Sequence, residues 1–342
     1  MLGMRSAYRQ IDHMFDSTRY DGRMPMRRCG DSGLLLPAIS LGCWHNFGGV
    51  DDFEEGRRIL HRAFDRGITH FDLANNYGPP PGSAEDNVGR ILVSDFVCHR
   101  DELVISTKAG HDMWHGPYGM NGSRKHLLAS LDQSLKRLRL GYVDIFYSHC
   151  QNPETRLEET MSALATAVHS GKALYVGLSK YPLKRLKKAV KILADMGIRC
   201  LIYQPSYSLL QRAIETDGIL EWLQAEGIGC IGFSPLAQGM LTPKYLDGIP
   251  GESRAGRPEG FLQPEQVLAQ QTKIRALYQL AAAHDMPLHH LAMRWVLRSP
   301  AITSAIIGAR TVGQLDDTLD ALQTPALDTA LLDAIDAIIR AS

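Results

Sequence analysis

Apolar and polar positions show two periodicities, one typical of strands and one typical of helices, and these alternate along the chain. Short apolar runs rich in β-branched residues predict buried strands, and stretches with an apolar residue at every third or fourth position predict amphipathic helices. The strands are predicted at residues 38–44, 69–74, 103–107, 142–148, 173–179, 200–204, 228–234 and 301–308. The helices are predicted at residues 51–66, 84–94, 124–138, 154–169, 182–196, 215–226, 263–284 and 312–322.

Repeated strand–helix units with short connections are typical of a (β/α)8 TIM barrel, an α/β fold whose active site lies at the C-terminal ends of the strands. A doubly wound sheet also alternates strands and helices, but no G-x-G-x-x-G motif opens a helix in this chain. Residues 26–37 predict an N-terminal hairpin, and residues 328–340 predict an extra C-terminal helix. We expect residues 1–25 to form an arm used in oligomer contacts, and residues 26–342 to form a single barrel domain.

Local signals predict where several helices and loops begin. Asp51 or Asp52 is expected to start the helix at 51–66, and Ser123 to cap the helix at 124–138, because short polar side chains accept hydrogen bonds from free N–H groups there. Pro182 is expected in the first turn of its helix. Residues 76–84 and 237–262 are rich in Gly, Pro and charge, so we expect loops of the kind that cover active sites.

Charge and composition exclude some classes of partner. Basic and acidic residues number 37 each, which gives no reason to expect binding to nucleic acid or to an acidic membrane. No apolar run approaches the roughly 20 residues that span a bilayer, and the polar N-terminus is not typical of a signal peptide. The six cysteines form no C-x-x-C pair, which indicates buried thiols in a reducing compartment. We therefore expect a soluble, cytoplasmic protein.

Four residues with complementary chemistry fall at or just after predicted strand ends: Asp72, Tyr77, Lys108 and His149. The C-terminal ends of barrel strands meet at one rim, so these side chains are expected to converge. A free tyrosine has a pKa of about 10, and a neighbouring ammonium lowers that pKa by stabilising the phenolate. We expect a proton-transfer site in which Tyr77 is the acid, Lys108 with its carboxylate partner Asp72 makes the phenol acidic, and His149 is a fourth candidate.

These residues lie in longer motifs that occur in a fixed order: FDLANNYGPPPGSAE, STKAG, YVDIFYSH, QPSYSLL and SPLAQGML. In these motifs the chain resembles the aldo-keto reductases, and most of all their bacterial glyceraldehyde 3-phosphate reductase branch, from about Met26 to the C-terminus. The resemblance implies that Tyr77 gives its proton to a carbonyl oxygen, assisted by Lys108 and Asp72, and that His149 orients the carbonyl. Potassium channel β subunits are more distant relatives of that branch and resemble it with Asn in place of His149, so His149 favours an enzyme.

The resemblance also implies NADPH or NADP as cofactor, bound across the barrel mouth beside Asp72. It implies that Tyr207 stacks on the nicotinamide, that Ser179 and Gln204 hydrogen-bond its carboxamide, and that Trp44 lies beside it. The residues implied around the pyrophosphate and ribose are Phe233, Ser234, Pro235, Leu236, Ala237, Gln238 and Gly239. Those implied at the phosphates and the adenosine end are Lys244, Arg254, Gly308, Arg310, Gln314, Asp317 and Thr318.

Two positions depart from the family pattern. Lys180 stands where many members have Asn or Ser, so a cation is expected to reach the cofactor or a phosphorylated substrate. Thr318 stands where an adenine-binding Asn is common, which weakens the implied adenine contacts. Arg257 is an alternative to Arg254 as phosphate ligand, and a solvated surface charge is the alternative for either arginine.

The histidines raise a metal site as an alternative. His111 and His115 have the spacing of one helix face, and His289 and His290 are adjacent. Gly110, Gly116 and Pro117 indicate a loop around the first pair, and no third ligand has a recognisable spacing. We therefore expect no metal.

The predicted function is NADPH-dependent reduction of small aldehydes, with L-glyceraldehyde 3-phosphate as leading substrate and methylglyoxal-like aldehydes next. The loop that carries His111, Trp114, His115, Tyr118, Arg124 and Lys125 is a further candidate for binding a phosphate or sugar. One alternative is a binding module that holds NADPH and regulates a partner, and another is a lyase or isomerase on the same barrel. Relatives of this branch often assemble, so we expect a homo-oligomer, a tetramer or larger.

Overall fold

The computed structural model describes residues 14–251, 253–256 and 262–341. Eight parallel strands close into a barrel in the order β10-β3-β4-β5-β6-β7-β8-β9, which confirms the predicted fold. The barrel strands are β3 (Ile39–Gly42), β4 (His70–Asp72), β5 (Val104–Ala109), β6 (Val143–Ser148), β7 (Ala173–Ser179), β8 (Cys200–Gln204), β9 (Gly229–Phe233) and β10 (Ser304–Ile307).

The helices of the described residues alternate with the strands. They are α1 (Phe53–Asp65), α2 (Ser83–Asp95), α3 (Arg124–Leu138), α4 (Leu157–His169), α5 (Leu183–Asp195), α6 (Ala213–Thr216), α7 (Ile219–Ala225), α8 (Pro264–Ala282), α9 (Leu288–Val296), α10 (Val312–Asp320) and α11 (Thr329–Arg340). Four helix starts follow the local rule for capping, since the side chains of the N-cap residues accept backbone N–H bonds; these residues are Asp52, Ser123, Thr311 and Asp328. Helix α11 is the predicted extra C-terminal helix.

An N-terminal hairpin closes the bottom of the barrel. Strands β1 (Met26–Arg28) and β2 (Leu35–Pro37) pair antiparallel, as predicted. Cys29 and Leu36 from this hairpin are fully buried in one cluster with inward-facing barrel residues such as Val104 and Ile231. Gly30 has a φ of +56°, and a Cβ there would overlap the carbonyl of Gly227, so this close contact with the barrel floor requires glycine.

The predicted arm is described only from residue 14 onward. Phe15 is buried and stacks on Phe96, with ring centroids 4.7 Å apart, while it meets Phe64 edge-on at 4.9 Å. Arg19 donates to Glu102 at 2.8 Å. Residues 14–25 are therefore attached to the outside of α1 and α2, and a role of the arm in oligomer contacts stays a prediction.

The sequence prediction missed or misplaced a few elements. Helix α9 was not predicted, although Leu288, Leu291 and Trp295 have helical spacing and are buried. The helix predicted at 215–226 is two helices, because Gly218 has a φ of +71° between α6 and α7. Pro182 precedes α5 as its N-cap and does not lie in the first turn. No helix among residues 14–251, 253–256 and 262–341 is long and apolar enough to cross a bilayer.

Candidate active site

The closed barrel brings the four predicted residues together at the C-terminal rim of the strands. Asp72 ends β4, Lys108 is the second-last residue of β5, and His149 directly follows β6. Tyr77 is on the loop after β4, where its backbone carbonyl accepts bonds from the N–H groups of Gly82 and Ala84. The Tyr77 ring stacks on Trp44 at 5.6 Å and meets the His149 ring edge-on at 5.9 Å.

Lys108 is completely buried, and its ammonium group donates three hydrogen bonds. Its Nζ donates to Oδ2 of Asp72 at 2.6 Å, to the backbone carbonyl of Leu73 at 2.6 Å and to the hydroxyl oxygen of Tyr77 at 3.3 Å. An ammonium has three N–H donors, so each one has an acceptor. Because Tyr77 accepts this bond through its oxygen, its own proton is available to a different partner.

The expected direction of the Tyr77 pKa was wrong. Burial of the phenol, together with the nearby carboxylate of Asp72, raises the pKa of Tyr77 well above 10.0. Burial lowers the pKa of Lys108, and the Asp72 carboxylate opposes that effect. The phenol of the protein without ligands is therefore protonated at neutral pH. The sequence shows the cation but not the burial, and here burial has the larger effect.

A chain of buried polar groups supports Asp72 from inside the barrel, and the sequence reading missed it. Ser106 Oγ donates to Oδ1 of Asp72 at 2.6 Å, and His70 lies between Ser106 (3.0 Å) and Ser40 (2.9 Å). Ser40 and Ser304 share a further hydrogen bond of 2.7 Å. The strand sequences carry a signal for this chain of polar groups. His70 and Asp72 are two residues apart in β4 and therefore lie on one face, and the same holds for Ser106 and Lys108 in β5.

His149 is buried beside a second histidine. Burial and the positive charge of Lys108 hold the pKa of His149 well below 6.5, so its imidazole is neutral at neutral pH. Its Nδ1 has no hydrogen-bond partner among the described residues. The His111 ring meets the His149 ring edge-on at 4.4 Å. A neutral imidazole carries one N–H, which can donate to a carbonyl oxygen.

The residues implied for the carboxamide of the cofactor are buried next to Asp72. Gln204 Nε2 donates to Oδ1 of Asp72 at 3.2 Å, and Ser179 Oγ donates to the carbonyl of Gln204 at 2.8 Å. Both side chains thus lie at the ends of β7 and β8, beside the four rim residues.

Tyr207 does not have the environment that stacking on a ligand requires. Its ring is fully buried against Trp295 of α9, and its hydroxyl donates to Glu215 at 2.5 Å and accepts from Arg298 at 2.9 Å. A ring that is covered on its faces has no surface for a nicotinamide. Phe233, at the end of β9, is half-buried and is the aromatic side chain that the rim offers in its place.

The loop after β9 has an unusual backbone. Ser234, Ala237 and Gln238 have φ angles of 56°, 48° and 59°, and Gly239 has a φ of 97°. Left-handed residues within a turn direct neighbouring N–H groups to one side, which makes a concave surface for anions. Pro235 is buried and Leu236 half-buried, so these two residues anchor the loop to the core.

Three cations from two loops lie close enough to influence one another. Burial, then Arg310 and Arg254, lowers the pKa of Lys244, and burial is also the main cause that lowers the pKa of Arg254. Among the described residues, no carboxylate forms an ion pair with Lys244, Arg254 or Arg310. Clustered cations without acidic partners favour an anionic ligand. Arg257, the alternative to Arg254, lies outside the described residues.

Helix α10 begins next to this cluster, with Gly308, Arg310 and Gln314 exposed. The Gln314 side-chain oxygen accepts from the backbone N–H of Arg310 at 3.0 Å. Thr318 is buried and its hydroxyl donates to the carbonyl of Gln314 at 2.9 Å, so it has little left to offer an adenine.

The third residue with ligand-type chemistry near the two adjacent histidines is Asp317. His289, His290 and Asp317 offer ligand atoms that lie within 4.8 Å of one another. The Asp317 carboxylate is 2.9 Å from His289 Nε2, and His290 Nε2 donates to the Asp317 carbonyl at 2.7 Å. These contacts join α9 to α10 and hold the carboxylate that was expected to bind adenosine beside the two histidines.

The loop at residues 111–125 contributes His111 to the rim, whereas Arg124 faces elsewhere. Arg124 donates to the carbonyl of Ser162 at 2.9 Å and to the hydroxyl of Thr166 at 2.7 Å, both on α4. Lys125 is exposed and lies over the Tyr118 ring. The part of this loop that carries Arg124 therefore stabilises helix packing. His111 and His115 are not on a helix.

The sequence model of the aldo/keto reductase family matches residues 38–340, and the chain belongs to this family. It is an oxidoreductase. The chain is 55% identical over 320 residues to L-glyceraldehyde 3-phosphate reductase of Escherichia coli K12. The aligned region covers 92% of each of the two chains. It is 32% identical over 324 residues to a probable voltage-gated potassium channel subunit beta of Oryza sativa, covering 93% of this chain and 97% of the relative.

Solved structures share the fold, among them two aldo-keto reductases. A holo aldo-keto reductase from Bacillus halodurans, 23% identical, superposes with a TM-score of 0.76 and covers 93% of this chain and 97% of its own. A thermostable aldo-keto reductase in complex with the inhibitor epalrestat is 28% identical, with a TM-score of 0.73, and covers 92% of this chain and 100% of its own. The predicted family is thus confirmed, and so is the barrel.

Proposed function

We propose that this enzyme reduces small aldehydes to alcohols with NADPH. The observation that carries the proposal is the buried Lys108 ammonium, which bonds both the Asp72 carboxylate and the Tyr77 hydroxyl at the barrel mouth. An ion pair with no catalytic task would not need a phenol as its third partner, held beside His149 and Trp44.

Tyr77 acts as the proton donor. Its oxygen accepts from Lys108, so its hydroxyl proton is directed away from the ammonium and toward the mouth. The raised pKa keeps this proton on Tyr77 until a more basic alkoxide is formed from the aldehyde. Lys108 then stabilises the phenolate that remains, and Asp72 fixes the ammonium. His149 is neutral and donates a hydrogen bond to the carbonyl oxygen, which orients the aldehyde.

The groups present fit a phosphorylated dinucleotide. Lys244, Arg254 and Arg310 suit its phosphates, since guanidinium groups bind phosphate through two parallel hydrogen bonds. The loop at residues 234–239 offers N–H groups to the pyrophosphate, and the start of α10 faces the adenosine end. Gln204 and Ser179 lie where the carboxamide of the nicotinamide would be held, with Phe233 as the stacking ring. When bound, NADPH supplies the hydride. Thr318 plays a smaller part than expected because its hydroxyl donates to the Gln314 carbonyl. Asp317 stays a candidate for the adenosine end, since its side chain is largely exposed.

The leading substrate is L-glyceraldehyde 3-phosphate, after the Escherichia coli relative that carries this name. Methylglyoxal-like aldehydes come next. A homo-oligomer, a tetramer or larger, stays part of the proposal and is checked by light scattering of the purified protein.

The similarity to a potassium channel subunit beta supports a second candidate, a barrel that holds NADPH and regulates a partner. Steady-state turnover separates the two. An enzyme oxidises NADPH at about 1 per second or faster with a good aldehyde, whereas a regulator holds the cofactor and consumes it far more slowly. Activity toward a substrate in the complete absence of nicotinamide would favour a lyase or isomerase and would contradict both candidates.

A further inference from the structure

Lys180 lies at the rim with a positive charge and no acidic partner. It directly follows β7, its side chain is exposed, and its φ of 59° turns the chain sharply at this point. Among residues 14–251, 253–256 and 262–341, no carboxylate forms an ion pair with it. Its Nζ lies 3.4 Å from His111 Nε2 and 5.7 Å from the centre of the Phe233 ring.

The second member of the pair is His111, which joins Lys180 to the catalytic residues. Its ring touches His149 edge-on at 4.4 Å, and its Nδ1 lies 3.9 Å from the Cys150 thiol. Burial and the Lys180 charge lower the pKa of His111 to about 4, so the imidazole is neutral. An ammonium can only donate, so His111 Nε2 accepts the bond from Lys180 and the neutral ring carries its proton on Nδ1.

This bond holds the Lys180 side chain in place, and the remaining N–H groups of its ammonium can donate to two oxygens of one tetrahedral anion. A cation at the rim that pairs with no carboxylate has its charge available for a ligand. The rings of His111 and His149 connect Lys180 to the proton donor Tyr77 through successive contacts. Lys180 therefore offers an anion-binding position at the same rim as the four catalytic residues.

We propose that Lys180, held in place by His111, forms a subsite that binds the phosphate monoester of a phosphorylated aldehyde. The proposal rests on the proposed reductase function and assigns the specificity for a phosphate to these two residues. The cations Lys244, Arg254 and Arg310 belong to different loops and remain assigned to the cofactor.

The test compares kcat/KM for L-glyceraldehyde 3-phosphate with kcat/KM for unphosphorylated glyceraldehyde. A hydrogen bond from a charged group changes binding by roughly 10- to 100-fold, so the ratio of the two values should fall by that factor in Lys180→Met. Lys180→Arg should restore most of the ratio, and His111→Asn should lower it by less than Lys180→Met. Lys136→Met, which removes an exposed lysine in the last turn of α3, is the matched control and should keep the wild-type ratio.

If the ratio of the two kcat/KM values in Lys180→Met equalled that of wild type, the proposed subsite would be wrong. An equal loss on both aldehydes, with weaker NADPH binding in a fluorescence titration, would assign Lys180 to the cofactor instead. Wild-type protein that reduces neither aldehyde would refute the proposed function. In that case calorimetric titration with glycerol 3-phosphate in the presence of NADP still decides on the subsite, because wild type should bind it and Lys180→Met should not.

Discussion

The proton of Tyr77 is controlled by two effects that oppose each other at one oxygen atom. Burial favours the neutral phenol, whereas the Lys108 ammonium at 3.3 Å favours the phenolate. In the protein without ligands burial has the larger effect, since the pKa of Tyr77 is raised. The acid thus keeps its proton until charge develops on the substrate, and only then does the ammonium stabilise the product of proton transfer.

Replacing Tyr77 by Phe removes the proton donor but keeps the ring that stacks on Trp44. We expect kcat for aldehyde reduction to fall by about 10²- to 10⁴-fold, the usual contribution of a general acid. NADPH affinity, measured by fluorescence titration, should stay close to that of wild type. A parallel loss of turnover and NADPH affinity would contradict the separate roles proposed for Tyr77 and the cofactor loops.

The pH profile of reduction follows from the same groups. His149 is neutral because its pKa lies well below 6.5, and Tyr77 is protonated because its pKa lies well above 10.0. We therefore expect kcat for reduction to show no inflection between pH 6 and 9, the interval in which an unshifted histidine would titrate. Steady-state rates across this interval check it. A decrease centred on pH 8 would mean that Lys108 dominates the pKa of Tyr77 after all.

At the scale of elements, four neighbouring strands share one polar row inside the barrel. Ser304 of β10, Ser40 of β3, His70 of β4 and Ser106 of β5 are connected in the order in which the strands pair. All four side chains are fully buried. The row ends at Asp72, so the inner face of the strands positions the carboxylate that holds Lys108.

The stability of this row should depend on pH through His70. Burial lowers the pKa of His70 from 6.5 to about 4. Below pH 6.5 the unfolded chain binds a proton that the folded protein does not, so this contribution is complete above pH 6.5 and is lost as the pH falls toward 4. The slope is about 1.4 kcal/mol per pH unit for one proton.

In His70→Gln, which does not titrate, the free energy of unfolding should depend on pH less steeply by about one proton between pH 6 and 4.5. Urea titrations at several pH values measure this slope. The same substitution at the exposed His115 is the control and should leave the slope near that of wild type. An unchanged slope in His70→Gln would show that His70 is not the group responsible.

Helix α2 is tied to two other elements through a buried carboxylate. Glu85 is fully buried and accepts from Thr107 of β5 at 2.5 Å and from Arg137 of α3 at 2.8 Å. Breaking a buried pair by removing one partner leaves the other charge uncompensated. We expect Glu85→Ala to lower the free energy of unfolding by about 3–5 kcal/mol.

Urea denaturation of Glu85→Ala measures this loss. Glu221→Ala, on the exposed side of α7, is the matched control and should change the free energy of unfolding by less than about 0.5 kcal/mol. A loss for Glu85→Ala as small as that of the control would show that the tie between α2, β5 and α3 contributes little.

At the scale of the whole molecule, the cofactor groove joins parts of the chain that are far apart in sequence. Lys244 and Arg254 follow β9, Arg310 follows β10, and Gln204 ends β8. A dinucleotide that contacts all of them should stabilise the fold, by about 2.7 kcal/mol at 100 times its Kd. The residues 26–342 are proposed to respond as one domain, in a single thermal transition.

The 2′-phosphate, which NADP carries and NAD lacks, should make this stabilisation selective for NADP. We expect NADP to raise Tm more than NAD at equal concentration, and Arg254→Leu to reduce that difference because a guanidinium bound to the phosphate is lost. Arg199→Leu, which removes an exposed arginine paired with Asp31 away from the groove, is the control. If Arg254→Leu retained the full difference, the phosphate would be bound by Lys244 and Arg310 without Arg254.

The sequence by itself determined the family and the alternation of strands and helices apart from α9, with most element ends placed to within about three residues. These features depend on signals within a few residues, such as the cap at Ser123, the alternation in β4, and the motifs around Tyr77 and Lys108. Only the tertiary structure decided that Tyr207 is covered by Trp295, that Arg124 faces α4, and that Lys180 meets His111. Contacts of this kind join distant residues; Gln204 and Asp72, for example, are 132 positions apart. Closure of the barrel sets these distances and the burial that fixes the Tyr77 pKa, and no local pattern encodes either.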